Sequence, residues 1–162
     1  MSTQLLLLKQ KELTLLQQKR NLLTQAPGHN YAPSAKQKHF HAAGNQARER
    51  LFLAGNRCGK TYCGAMEMAM HLTGLYPHWW QGLRFEKPIR AWAASITAET
   101  TRDILQAAYI GNEETPGTLH PSLITNKTMK RGISNAIDTL NVHHASGGMS
   151  VLGYMFMRPR CG

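Results

Sequence analysis

Residues 51–70 read LFLAGNRCGKTYCGAMEMAM, and the fold turns on how this stretch is read. Apolar Leu51–Ala54 predicts a short strand. A loop follows from Gly55 to Thr61. Beyond it Ala65, Met68, Ala69, Leu72 and Tyr76 recur at spacings of three and four, which predicts a helix with one buried face. A strand handing over to a helix through a glycine loop and Gly-Lys-Thr has the layout of a phosphate-binding loop. Backbone N–H groups of a tight glycine loop and of a helix N-terminus converge on one spot and bind phosphate oxygens there. In such a site Lys60 reaches the β- and γ-phosphates of a nucleotide, and the Thr61 hydroxyl reaches Mg²⁺. Asn56, Arg57 and Cys58 complete the loop, and Gly59 stands where a side chain would most obstruct the phosphate. Ala54 occupies the place of the consensus first glycine, but Gly55 directly after it leaves the turn possible. The alternative is a glycine-rich turn that binds nothing.

Upstream, YAPSAKQ at 31–37 opens a short predicted helix, and Gln37 lies 18 residues before Gly55. A Gln amide can bond the N6 and N7 edge of adenine in a bidentate manner. Further upstream, Leu5, Leu8, Leu15, Leu16, Leu22 and Leu23 lie at helical spacing among Gln and Lys. This predicts an amphipathic helix over 1–25, ended by APGHN at 26–30, that packs on the core or on a partner. Downstream, GLYPHWWQGLRFEKP at 74–88 reads as a loop and IRAWAASI at 89–96 as a short buried strand. TAETTRDILQAAYIG at 97–111 reads as a helix with a Thr N-cap and a terminal Gly. After the loop NEETPGTLHPS, residues 138–156 read as two strands joined near Gly147 and Gly148. This order predicts an α/β fold with a parallel sheet.

The 162 residues make one domain's worth of chain, and a 42% hydrophobic content supports a core. The apolar run Leu5–Leu8 is too short for a signal-peptide core or a membrane span, so no membrane partner and an intracellular location are expected. Cys58, Cys63 and Cys161 are odd in number, and the histidines at 39–41 and 143–144 lack cysteine partners for a metal site. A formal charge of +10 favours a polyanionic partner, with nucleic acid foremost.

Three segments together carry a resemblance: YAPSAKQKHFHAAG, RLFLAGNRCGKTYCGAMEMAMHLTGLYP and IRAWAASITAETTRDILQAAYIG. Over roughly residues 28–154 the chain resembles the ATPase domain of tailed-phage terminase large subunits, in particular those of Podovirus-type phages. That family carries a glutamine motif with a proline four residues before the Gln, here Pro33 and Gln37. It also carries a deviant loop that begins Ala-Gly-Asn, here Ala54, Gly55 and Asn56. The missing first glycine is then a family habit. The resemblance implies a P-loop NTPase-type sheet with flanking helices, and ATP with Mg²⁺ as cofactors. It further implies a motor that moves double-stranded DNA into a procapsid, with a small terminase subunit and a portal as partners, in the cytoplasm of a bacterial host. Some relatives carry an Arg in the loop where Asn56 stands here, one position before Arg57.

Hydrolysis also needs a carboxylate to hold Mg²⁺ and another to polarise water. Only two aspartates occur, Asp103 after ETTR and Asp138 after ISNAI, and neither ends an apolar run beside a second acid. Nor is there a carboxylate cluster for two-metal nuclease chemistry. The resemblance ends at Tyr154. The expected organisation is an N-terminal helix and linker over 1–27, an incomplete ATPase domain over 28–154 whose later strands are absent, and a divergent tail over 155–162. On this reading the chain is a truncated prophage product that binds ATP without hydrolysing it or cutting DNA. Its uncovered sheet edge predicts marginal stability or self-association. Two alternatives stay open: a non-enzymatic basic DNA- or partner-binding fragment with a vestigial loop, and a fragment of a helicase-type translocase. The AGN opening and LTGLYP count against the helicase.

Overall fold

A computed structural model describes residues 3–156 of the chain. Helix α1 spans Thr3–Gln25, α2 spans Ala35–Ala42 and α3 spans Lys60–Thr73. Strand β1 (Arg90–Ser95) follows, then a helical segment in three parts. These are α4 (Ala98–Thr100), a π-helical turn (Thr101–Gln106) and α5 (Ala107–Ile110). Strands β2 (Ile124–Met129), β3 (Ile137–His143) and β4 (Met149–Phe156) complete the order.

The four strands form one sheet in the order β1-β4-β3-β2. β4 runs parallel to β1 but antiparallel to β3, and β3 runs antiparallel to β2. The sheet is therefore mixed, not parallel as the element order predicted. Connection length explains the difference. The short links at 130–136 and 144–148 can only return the chain antiparallel, whereas the long path from β1 to β4 allows a parallel pair. The hairpin joined near Gly147 and Gly148 forms as expected, and Gly147 takes a φ of 91° in its turn. Strand β2 was not anticipated, since ITNKTM is exposed along nearly all its length and shows little apolar alternation.

One face of the sheet carries the core. Ala65, Ala69 and Leu72 of α3 pack with Tyr109 of α5 against Leu140, Val142, Leu152 and Tyr154. The opposite side of α3 buries Met66 and Met70 against Tyr31 and Trp80. Helix α3 is thus apolar on two sides because it is covered on two sides. Gly74, at φ 68°, ends it in the left-handed conformation that favours glycine. Thr97 caps the helical segment before α4 by accepting from the Thr100 N–H at 3.1 Å, and Gly111 closes it at φ 80°. The predicted cap and stop therefore both stand.

Two expected strands differ. Leu51–Ala54 forms no strand, and Leu51 and Leu53 are each 80% exposed. A strand persists only where its backbone groups find a neighbouring ladder, and nothing in the sheet order lies beside this segment. It meets α2 instead, with Phe52 stacked on Phe40 at 4.8 Å between ring centres. Strand β1 was read as buried, but it is an edge strand with only Ala93 buried and Trp92 66% exposed. The Trp92 ring lies across Gly153 of β4, where a Cβ would approach it to 2.7 Å.

In α1, Leu5, Leu8, Leu15 and Leu16 are all exposed, so these leucines do not pack on the core. The side chains of Leu22 and Leu23, and residues 157–162 with Cys161, lie outside the described residues. Among the described residues no helix is long and apolar enough to cross a membrane.

Candidate functional site

The loop at residues 55–59 projects from the start of α3. Gly59 is the N-cap of that helix, at φ 71° and ψ 22°, a conformation that costs a side chain roughly 1–2 kcal/mol. Arg57 also takes a positive φ, 61°. Two left-handed residues within three positions turn the chain sharply into the helix. No side chain caps α3, which leaves its first N–H groups to be satisfied from outside the helix. The Lys60 ammonium folds back over the loop and donates to the carbonyls of Ala54 at 2.8 Å and Gly55 at 2.7 Å. The Cys58 thiol lies 3.6 Å from the Asn56 carbonyl. Thr61 sits exposed on the first turn.

The structure brings Gln37 to this loop. Ser34 and Gln37 form a capping box at the start of α2: the Ser34 N–H donates to Gln37 Oε1 at 2.8 Å, and the Gln37 N–H donates to Ser34 Oγ at 3.4 Å. With Oε1 held this way, Nε2 faces the loop, 3.3 Å from where a Cβ on Gly59 would stand. Glycine at 59 therefore leaves room both for the backbone turn and for the glutamine.

One turn farther along α2, and one to three turns along α3, lies a buried polar cluster that the sequence reading missed. His41, 1% exposed, donates from Nδ1 to Glu67 Oε2 at 2.7 Å, and its Nε2 lies 3.2 Å from the Tyr31 hydroxyl and 3.5 Å from Cys63 Sγ. Arg50 forks onto both Glu67 oxygens and also donates to the Phe40 carbonyl at 2.7 Å. His71 Nε2 is 3.4 Å from Glu67 Oε1, and its Nδ1 meets the Tyr76 hydroxyl at 3.0 Å. Burial works against charge on both His41 and Glu67. Hydrogen bonds from His41, His71 and Arg50 outweigh it at Glu67 and hold that carboxyl well below the usual carboxylate range. At His41, contacts with Cys63 and Glu67 outweigh burial and raise the imidazole to about 9. A Glu among methionines in AMEMAMHL, with a His four residues on, was the one available signal. The partners at 31, 41 and 50 carried none.

Fold and site together define an α/β chain with a glycine-capped helix start and a lysine folded over the loop before it. Residues 51–151 match the family model described as terminase large subunit, T4likevirus-type, N-terminal. The chain belongs to this terminase large subunit family. The large terminase subunit of Salmonella phage P22 is 32% identical to it over 155 residues. That alignment covers 85% of this chain, which spans 31% of the P22 protein's length. No solved structure matches the chain at a significant level.

Proposed function

We propose that the chain binds ATP with Mg²⁺ at the loop Gly55–Thr61, as the N-terminal part of a terminase large subunit, the motor that packages double-stranded phage DNA. The observation that carries this reading is the Lys60 ammonium, held over the loop at a glycine-capped helix start with Gln37 alongside. The residues present suit the group. Uncapped N–H groups at the start of α3, which lasts fourteen residues, favour an anion. Lys60 supplies the mobile cation for the β- and γ-phosphates, and the Thr61 hydroxyl is a hard oxygen ligand for Mg²⁺. Gly55, Asn56, Arg57, Cys58 and Gly59 supply the backbone that wraps the phosphates. Gln37 reads adenine, donating from Nε2 to N7 and accepting from N6 on the free lone pair of Oε1.

Turnover by this chain alone is not part of the reading. The parallel strands β1 and β4 end in Ser95 and Phe156, not in carboxylates. Asp103 is engaged by Arg102, and Asp138 lies 3.6 Å from Lys130 Nζ. DNA, a small terminase subunit and the portal are the partners that family membership suggests, and the +10 charge fits the first.

Equilibrium titration of the purified chain with ATP and Mg²⁺, beside Lys60→Ala, tests the proposal. Binding that is lost in the variant is expected. DNA binding that is salt-sensitive and indifferent to ATP, with no nucleotide bound, would favour the alternative of a basic fragment with an idle loop.

A further inference from the structure

We infer that Glu67 is a positioning residue for base selectivity: through His41 and Arg50 it sets where Gln37 stands over the phosphate loop. This rests on the reading of Gln37 as the adenine contact. The geometry consists of two facing stripes. On α3, residues 59, 63, 67 and 71 follow one another at intervals of four, so they share one face of the helix. On α2, Gln37 and His41 are four apart and share a face as well. The stripes meet rung by rung. Gln37 lies against Gly59, while His41 lies against Cys63 and Glu67.

No backbone ladder joins α2 to α3. The His41–Glu67 hydrogen bond is a short, buried, charged link between them one turn from the glutamine. Sliding α2 by one residue along its axis moves Gln37 by about 1.5 Å, enough to lose a bidentate contact. Such a slide also tears His41 from Glu67 and leaves the buried Nδ1–H of His41 without its acceptor. Arg50 adds the third side of the clamp. It joins Glu67 to the Phe40 carbonyl near the end of α2, lies over the Phe40 ring at 4.6 Å, and directly precedes the segment that leads into the loop. One carboxylate thus fixes the glutamine helix, the approach to the loop and the phosphate helix to one another. The triphosphate meets only the loop and α3. The base meets α2, whose position depends on the clamp.

The two parts of the ligand should therefore respond differently. Dissociation constants for ATP, GTP and inorganic triphosphate, all with Mg²⁺, are measured on the 162-residue chain and on Glu67→Gln, with circular dichroism as the folding check. The unaltered chain should prefer ATP to GTP by about tenfold or more, the worth of one bidentate pair. In Glu67→Gln that ratio should fall to within about twofold of one, while triphosphate affinity changes by less than about threefold. A merely structural role would lower all three affinities together or none. If Glu67→Gln does not fold, Arg50→Gln, whose partly exposed side chain leaves no sealed cavity, is read on the same ratio. A folded variant that keeps the full ATP preference overturns the clamp and leaves nucleotide binding standing. Failure of the unaltered chain to bind any of the three overturns the proposed function and this inference with it.

Discussion

The start of α3 and its middle solve opposite problems within two turns of one helix. At the start, glycine and positive φ angles expose backbone N–H groups, and the Lys60 side chain bends back over exposed carbonyls. In the middle, Glu67 is buried with three charged or chargeable partners, of which only Arg50 is partly exposed. The exposed end suits a ligand because its polar groups are open to a partner from outside. The buried end suits precision because every polar group already has its partner, and any shift costs a hydrogen bond in a low-dielectric place. On the proposed function, the difference teaches that a site can divide its work: grip at the surface, alignment two turns farther along the helix.

The largest expected effect breaks the buried end. Glu67→Ala leaves His41 and Arg50 without their anion and should destabilise the chain by about 3–5 kcal/mol, measured by urea unfolding. On the sheet side of the same helix, Leu72→Ala removes a fully buried side chain and should cost about 2–5 kcal/mol. It should do so without touching any ATP-over-GTP preference. The contrast separates packing from alignment.

Acid and base should sharpen the comparison next. His41 is raised from 6.5 to about 9, so its contribution is whole below pH 6.5 and is lost as pH climbs through about 9. Glu67 is lowered, so its contribution is whole above its ordinary value of 4.5 and is lost as pH falls toward its folded value. Among the groups around His41, Tyr31 is pushed further up by burial and by Cys63, so it stays neutral throughout the window. Thermal unfolding should therefore show its highest midpoint between pH 4.5 and 6.5, and Glu67→Gln should flatten both flanks. Equal flanks in the two proteins would contradict the cluster's role.

The smallest effects lie in two glycines of opposite sign. Gly59→Ala meets a left-handed φ and crowds Gln37, so it should cost about 1–2 kcal/mol and weaken ATP binding. Gly64→Ala, on an exposed turn of α3 with open space around the added methyl, should stabilise by about 0.5–1 kcal/mol. Differential scanning calorimetry resolves both.

Much of the exposed end was legible because it is local: Gly55 to Thr61 is contiguous, and the helix after it shows its apolar period. Gln37 was legible only beside that loop. The Gly147–Gly148 hairpin and the Thr97 cap were legible for the same local reason. What failed depended on pairing across distance. Leu51–Ala54 has the composition of a strand, but no ladder receives it, and β1 is buried only as far as its single neighbour allows. The parallel sheet gave way to a mixed one because connection length, not element order, sets strand direction. The Glu67 cluster draws on residues 31, 41, 50, 67 and 71, whose convergence is a product of the fold.

Titration of the chain with ATP and Mg²⁺ before and after Lys60→Ala tests the grip at the surface most directly. Saturable ATP binding in the unaltered chain, reduced at least about tenfold in the variant at an unchanged unfolding temperature, is the predicted result. ATP binding of equal strength in both proteins, or in neither, would contradict it.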